Sequence, residues 1–177
     1  MKYIFNFLII YLISLIEIAV IPGLGLGRLE LNFFIVFLAA VILSYSFNQA
    51  LIFSVIMALI IESVSVFTYG SVLLIFVLAA VIFNYFFKKS NQKLEFVNLL
   101  VFSLIILIIY ELDLFLLRNS LAGNAGFLEG LKNNLFRFLW ELFKGILSNG
   151  LILVPFFYYF MKKVNEVFDS LETRRRI

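Results

Sequence analysis

The chain has 177 residues, of which 64% are hydrophobic and 14% are charged, and its mean hydropathy is +1.10. About a quarter of the residues in a soluble domain are charged, so this composition predicts a single integral membrane domain covering 1–177. Histidine and cysteine are both absent, which excludes disulfides, thiolate nucleophiles and the usual zinc and haem ligands. We therefore expect no enzyme activity, no cofactor and no metal site. We also expect no binding to nucleic acid, because the cations behind the net charge of +3 flank apolar runs.

Apolar runs long enough to cross about 30 Å of hydrocarbon recur along the chain, and six of them are predicted to be transmembrane helices. The first, at 3–21, is interpreted as a retained span rather than a signal peptide, because Glu17 lies within it and no small-residue cleavage site follows. The glycine-rich segment at 22–30 lacks the preceding strand that a phosphate-binding loop requires, so it is predicted to be a surface loop. The second span is predicted at 31–47, and a short uncharged turn joins it to the third.

The third predicted span, at 49–67, contains one carboxylate. A charge at membrane depth costs roughly 2.5–3.5 kcal/mol, so Glu62 needs a partner or a wet cavity. At helical spacing Ser54, Ala58, Glu62 and Ser65 share one face. Small residues on such a face let a second helix approach closely, so this span is predicted to be a packing hub for neighbouring helices.

The rest of the chain continues the alternation of spans and short connections. Apolar residues lie on one side of a helix predicted at 127–144 and charged residues on the other, so this helix is expected to lie in the plane of the membrane interface. Pro155 is predicted to kink the last span. The remaining predicted segments are spans at 71–87, 95–117 and 145–161 and a basic cytoplasmic tail at 162–177.

The cations predict the orientation of the chain. With the N-terminus inside, most of the 14 lysines and arginines lie on the cytoplasmic side, which places both termini there. The first, third and fifth spans then all run outward, and Glu17, Glu62 and Glu111 lie at a similar depth, with Arg28 and Arg118 following on the same side. We predict a polar layer there that either holds the helices in register or forms a proton or cation site. The structural role is favoured, because no run has the mid-depth Gly and Pro breaks typical of transporter sites.

Several of these features resemble the rod shape-determining protein MreD family of the bacterial cytoplasmic (inner) membrane. Residues 28–31 stand where that family often has a Pro-Asp-Leu entry to a span. The helix at 51–66, followed by a Tyr-Gly pair, resembles a family helix that ends in an acidic residue before a Leu-Gly turn. Glu62 takes the place of an aspartate in that helix. Later resemblances lie at 110–112, Tyr-Glu-Leu, and at 149–163.

The resemblance implies a non-catalytic, multi-pass scaffold that helps to organise lateral peptidoglycan synthesis and cell shape. Its implied partner is MreC, within the elongation complex that links MreB filaments to the glycosyltransferase RodA and its transpeptidase. Partner contacts are expected at Phe136, Phe138 and Trp140 on the amphipathic helix and at Phe168 on the tail, since exposed apolar patches mark interfaces. For the tail, binding to anionic membrane lipids is an equal alternative.

An alternative from another class is the substrate-binding S component of an energy-coupling-factor vitamin transporter, whose six-helix bundle resembles the architecture predicted for this chain. Members of that family tend to carry an Ala-x-x-x-Ala docking motif in the first span, whereas the first span here offers only Ala19. A purified S component would retain a vitamin. The scaffold would instead co-purify with a single-span coiled-coil partner.

Overall fold

A computed structural model describes residues 2–16, 31–64, 70–87, 95–121 and 127–174, with side chains at 8–16, 31–63, 70–85, 95–117 and 134–167. Every regular element in these ranges is helical, which confirms the predicted all-α class. In chain order the helices are α1 Lys2–Leu15, α2 Phe33–Ser44, α3 Phe47–Val64, α4 Ser71–Phe87, α5 Phe96–Leu121, α6 Phe127–Ser148, a π-helical segment Asn149–Leu153, and α7 Val154–Arg174.

Two stretches of the described residues are long and apolar enough to cross a membrane, which fits an α-helical membrane protein. They are Phe96–Leu117 in α5 and the 34-residue stretch Asn134–Val167, which passes from α6 through the π segment into α7. The 12 residues of α2 rise only about 18 Å, against about 30 Å of hydrocarbon. The span predicted at 31–47 is therefore a short helix in the structure, and the total of six spans stays a prediction.

The short helix α2 lies at the centre of the bundle. Every residue from 34 to 42 is buried, and α2 contacts α1, α3, α4, α5, the π segment and α7. The rings of Phe33 and Phe37 pack against Phe157 of α7, with centroids 6.1 and 5.7 Å apart. The predicted packing face of α3 is also buried, at Ser54, Ala58 and Glu62, but α2 is the helix that the others enclose. In a chain this apolar, hydrophobic periodicity cannot show which helix the others enclose.

The last 48 residues of the described chain form one long helical rod, α6, the π segment and α7, without a break at Gly145. This rod runs antiparallel to α5 for about 30 Å of its length. The contacts that show the pairing are Phe115 with Phe138, Leu100 with Gly150, and Phe96 with Tyr158. The predicted boundary between an interfacial helix at 127–144 and a span at 145–161 is therefore wrong. Apolar side chains of the rod pack on α5 on both sides of Gly145, so the helix continues through this residue.

The π segment accounts for the irregularity predicted at Pro155. Proline has no N–H to donate, and its ring clashes with the carbonyl four residues earlier in a regular helix. In the structure the N–H of Val154 donates to the carbonyl of Asn149, five residues back, so the turn before Pro155 is wider than an α-turn. The wider turn relieves the clash without ending the rod.

The packing of α2 on α7 predicts a large effect for Phe37→Ala. Phe37 is 1% exposed, so truncating it leaves a cavity beside Phe157 and lowers the free energy of unfolding by roughly 3 kcal/mol. Thermal unfolding in detergent micelles, followed by circular dichroism, measures the loss. Phe156→Ala is the matched control, because Phe156 is 56% exposed; an equal loss in both variants would contradict the central position of α2.

Candidate functional site

Glu62 occupies the last turn of α3 and is only 3% exposed. Its Oε1 atom accepts two backbone hydrogen bonds, from the N–H of Gly70 and from the N–H of Leu73, both at 2.9 Å. Gly70 directly precedes the first residue of α4, and Leu73 lies in its first turn. The first N–H groups of a helix have no partner within the helix, so this carboxylate caps α4 from the preceding helix.

The cap explains how a carboxylate is tolerated in an apolar bundle. Hydrogen bonds from N–H groups to a carboxylate are stronger than neutral ones, and the start of a helix carries a partial positive charge. Both effects favour a negative group at this position. Backbone N–H groups thus compensate for the burial of the Glu62 carboxylate. The sequence had instead suggested arginines or a wet cavity for this role.

Gly70 gives the capped turn its shape. Its φ angle is +106°, a conformation that residues with a Cβ rarely adopt. A Cβ at Gly70 would meet no atom within 4 Å, so the requirement for glycine comes from the backbone and not from crowding. The turn presents the N–H of Gly70 to Glu62 while its carbonyl accepts the N–H of Leu74 and starts the helix.

A second side chain, Asn149, caps α2 in a similar way. It is 2% exposed and lies in the π segment, about midway along the part of the rod that packs on α5. Its Oδ1 atom accepts the N–H of Asn32, the residue before α2, at 2.8 Å, and its Nδ2 atom donates to the carbonyl of Gly145 at 2.7 Å. Sequence analysis did not single out this residue. The sequence feature that could have identified Asn149 is a polar amide side chain within an otherwise apolar run.

Six polar residues are buried in the described part of the chain, and each bonds to backbone. The serines donate to the carbonyl four residues earlier in their own helices, as Ser54 does to Ala50 at 2.7 Å. Glu62 and Asn149 bond to the starts of other helices. The full set is Ser14, Ser54, Glu62, Ser103, Ser148 and Asn149. These side chains satisfy backbone groups, and no cluster of three possible metal ligands occurs among the described residues.

The structure places only part of the predicted polar layer. Ser54 and Ala58 are fully buried, on the face of α3 that also carries Glu62, and Glu111 is half-buried on α5. The other members lie outside the described residues or side chains: Glu17, Arg28, Ser65 and Arg118. The layer as a whole therefore stays a prediction.

The predicted partner residues do not form one surface. Phe136 and Trp140 are 81% and 56% exposed on α6, but Phe138 packs its ring on Phe115 at 4.5 Å and faces α5. Phe143 continues the exposed side, with its ring 6.0 Å from that of Trp140. The side chain of Phe168 lies outside those described. We name the exposed set Phe136, Trp140 and Phe143 the aromatic face of α6.

The cap on α4 predicts different outcomes for two substitutions of Glu62. Glu62→Gln keeps an oxygen that accepts both N–H groups and loses only the charge, so the free energy of unfolding should fall by less than about 2 kcal/mol. Glu62→Leu leaves two buried N–H groups without an acceptor and should cost about 3 kcal/mol or more. The midpoint of thermal unfolding in micelles measures both, with the exposed Glu95→Gln as control. A Gln variant as unstable as the Leu variant would contradict the cap.

The turn at Gly70 predicts opposite signs for two glycine substitutions. Gly70→Ala puts a Cβ on a backbone with positive φ and should destabilise the protein by about 1 kcal/mol. Gly150→Ala is the matched control, because a Cβ there meets Leu100 at an ordinary 3.5 Å, and it should be neutral or slightly stabilising. Chemical unfolding of the two variants side by side decides the point, and equal effects would show that the turn does not require glycine.

Comparison of the chain with protein-family models, with curated proteins and with solved structures finds no match. A proposal for its function therefore has to rest on the described geometry, chiefly the caps on α2 and α4 and the aromatic face of α6.

Proposed function

We propose that this chain is a non-catalytic scaffold of the bacterial cytoplasmic membrane, similar to the MreD family, multi-pass and with both termini in the cytoplasm. One observation carries the proposal: the six polar residues that are buried as a whole in the described part all bond to backbone, and the half-buried Asp113 lies in a surface groove and not in the core. An active site or ion pathway uses buried polar groups that remain available to a substrate or ion. Here Glu62 and Asn149 instead hold the starts of α4 and α2, which is what a rigid docking platform needs.

The aromatic face of α6 is the proposed contact for the main partner, a single-span coiled-coil protein of the MreC type. Large aromatic side chains dominate the binding energy of many interfaces, and Phe136 is the most exposed large hydrophobic side chain described. Arg137 and Glu141, paired at 2.8 Å on the same helix, give this surface a polar rim. RodA, its transpeptidase and MreB filaments would join through the wider elongation complex.

A second candidate is the vitamin-binding S component, and one observation favours it. A groove of about 460 Å³ lies between α4 and α5, which is within the size range of small-molecule sites. Its lining is apolar apart from Asp113, however, whereas a site that selects a vitamin needs several convergent polar groups. The scaffold is therefore the better-supported proposal.

Co-purification from native membranes tests the scaffold. The tagged wild-type chain should bring down a single-span coiled-coil protein, and Phe136→Ala with Trp140→Ala should reduce its recovery by about tenfold, the effect of losing roughly 1.4 kcal/mol. The control pair is Phe156→Ala with Tyr159→Ala, two exposed aromatics on α7, 56% and 67% accessible. The control should leave recovery unchanged.

Two results would overturn the proposed function. A purified chain that retains a vitamin, together with normal cell shape and lost vitamin uptake on deletion, would assign it to the transporter class. Equal loss of the partner in the test pair and the control pair would remove α6 as the docking surface.

A further inference from the structure

The groove between α4 and α5 is closed at one end by an aromatic contact. The two helices touch there at Phe83 and Phe102, whose rings meet edge to face with centroids 4.2 Å apart. From that contact the groove extends towards the start of α4 and the end of α5, and the buried Ala79 and Ile106 form its floor. Its exposed rim is formed by Leu74, Leu78, Ile82, Ile105, Ile109 and Leu112.

The end of the groove farther from this aromatic contact carries a carboxylate. Asp113 lines the groove there, and its Oδ2 atom is buried with no hydrogen-bond partner in the described part of the chain. A buried acceptor without a donor costs about 1–3 kcal/mol, more when it is charged. A ligand that brings an N–H donor to this end would remove that cost.

The length of the groove indicates what fills it. From Ile105 to Leu116 α5 rises about 16 Å, which is close to half of the roughly 30 Å hydrocarbon core and so to one leaflet. A transmembrane helix of a partner would need a surface along the whole thickness, whereas the Phe83–Phe102 contact closes this groove at one end, about 9 Å along α5 from Phe96. Asp113 lies about 26 Å along α5 from Phe96, near the far membrane surface, where lipid headgroups begin.

We propose that this groove binds one acyl chain of a phospholipid whose primary ammonium headgroup donates a hydrogen bond to Asp113. The apolar rim packs against the acyl chain. The carboxylate favours an ammonium headgroup that has N–H groups to donate, and disfavours a quaternary ammonium or an anionic glycerol headgroup. The inference rests on the membrane placement proposed above, and it is independent of whether MreC is the partner.

Lipid retention by the purified full-length protein tests the site. The protein is incorporated into nanodiscs of equal parts dioleoyl phosphatidylethanolamine, phosphatidylcholine and phosphatidylglycerol, released into mild detergent, and analysed by native mass spectrometry. Wild type should retain phosphatidylethanolamine about tenfold over the other two, the difference expected for one hydrogen bond to a charged group. Asp113→Asn should abolish the preference. Glu111→Gln removes the same charge two residues away, outside the groove lining, and should keep it.

A second pair of variants tests the groove itself. Leu78→Trp fills the rim and should lower retention of all three lipids, whereas Val81→Trp, at a similarly exposed position on α4 outside the lining, should not. Both residues are surface positions, 46% and 41% exposed, so the fold tolerates the larger side chain.

Three outcomes would overturn the lipid site. They are equal retention of the three lipids by wild type, an unchanged preference in Asp113→Asn, and a protein dimer that Leu78→Trp disrupts, which would show a second copy in the groove. Failure of the chain to enter nanodiscs at all would instead overturn the membrane placement. Co-purification of the coiled-coil partner is a separate measurement, so either proposal can fail without the other.

Discussion

Backbone N–H groups at the start of a helix have no partner within that helix, and in an apolar bundle no water supplies one. This constraint determines how the interior of the protein is arranged. Glu62 accepts two such N–H groups at the start of α4, and Asn149 accepts one at the start of α2. Directional contacts of this kind, together with close packing, therefore fix where α2 and α4 begin.

The two caps differ in strength and in reach. Glu62 bonds to residues 8 and 11 positions further along the chain, so it ties the start of α4 to the end of α3. Asn149 bonds to a residue 117 positions away, so it ties the start of α2 to the long rod that packs on α5. The charged cap is local and the neutral cap is long-range. The first fixes the start of α4 and the second fixes the start of α2, which the other helices enclose.

These features explain which parts of the fold could be predicted from the sequence. The fourth helix has the predicted bounds, 71–87, because Gly70 precedes this apolar run and a lysine-containing segment follows it in the sequence. That Glu62 needs a partner follows from the free-energy cost of burying a charge. The identity of that partner depends on the geometry of the turn at Gly70, which the hydrophobic periodicity of the sequence does not reveal. The continuous rod was missed because Gly145 and the charges of α6 suggested a boundary, whereas the contact of Phe138 with Phe115 is a tertiary effect.

Glu62, which is buried, and Asp113, which is half-buried, show how the surroundings of a carboxylate determine what it can bind. Glu62 faces a helix start, and its Oε1 atom is occupied by backbone donors, so it holds the fold together and has little to offer a ligand. Asp113 lines an open groove, and its Oδ2 atom has no donor in the described part of the chain. The same chemical group is structural where the fold supplies the donors, and it is open to a ligand where the described part of the chain supplies none. The stability of α4 therefore follows from the first carboxylate, and the chemistry at the outer surface of α4 and α5 follows from the second.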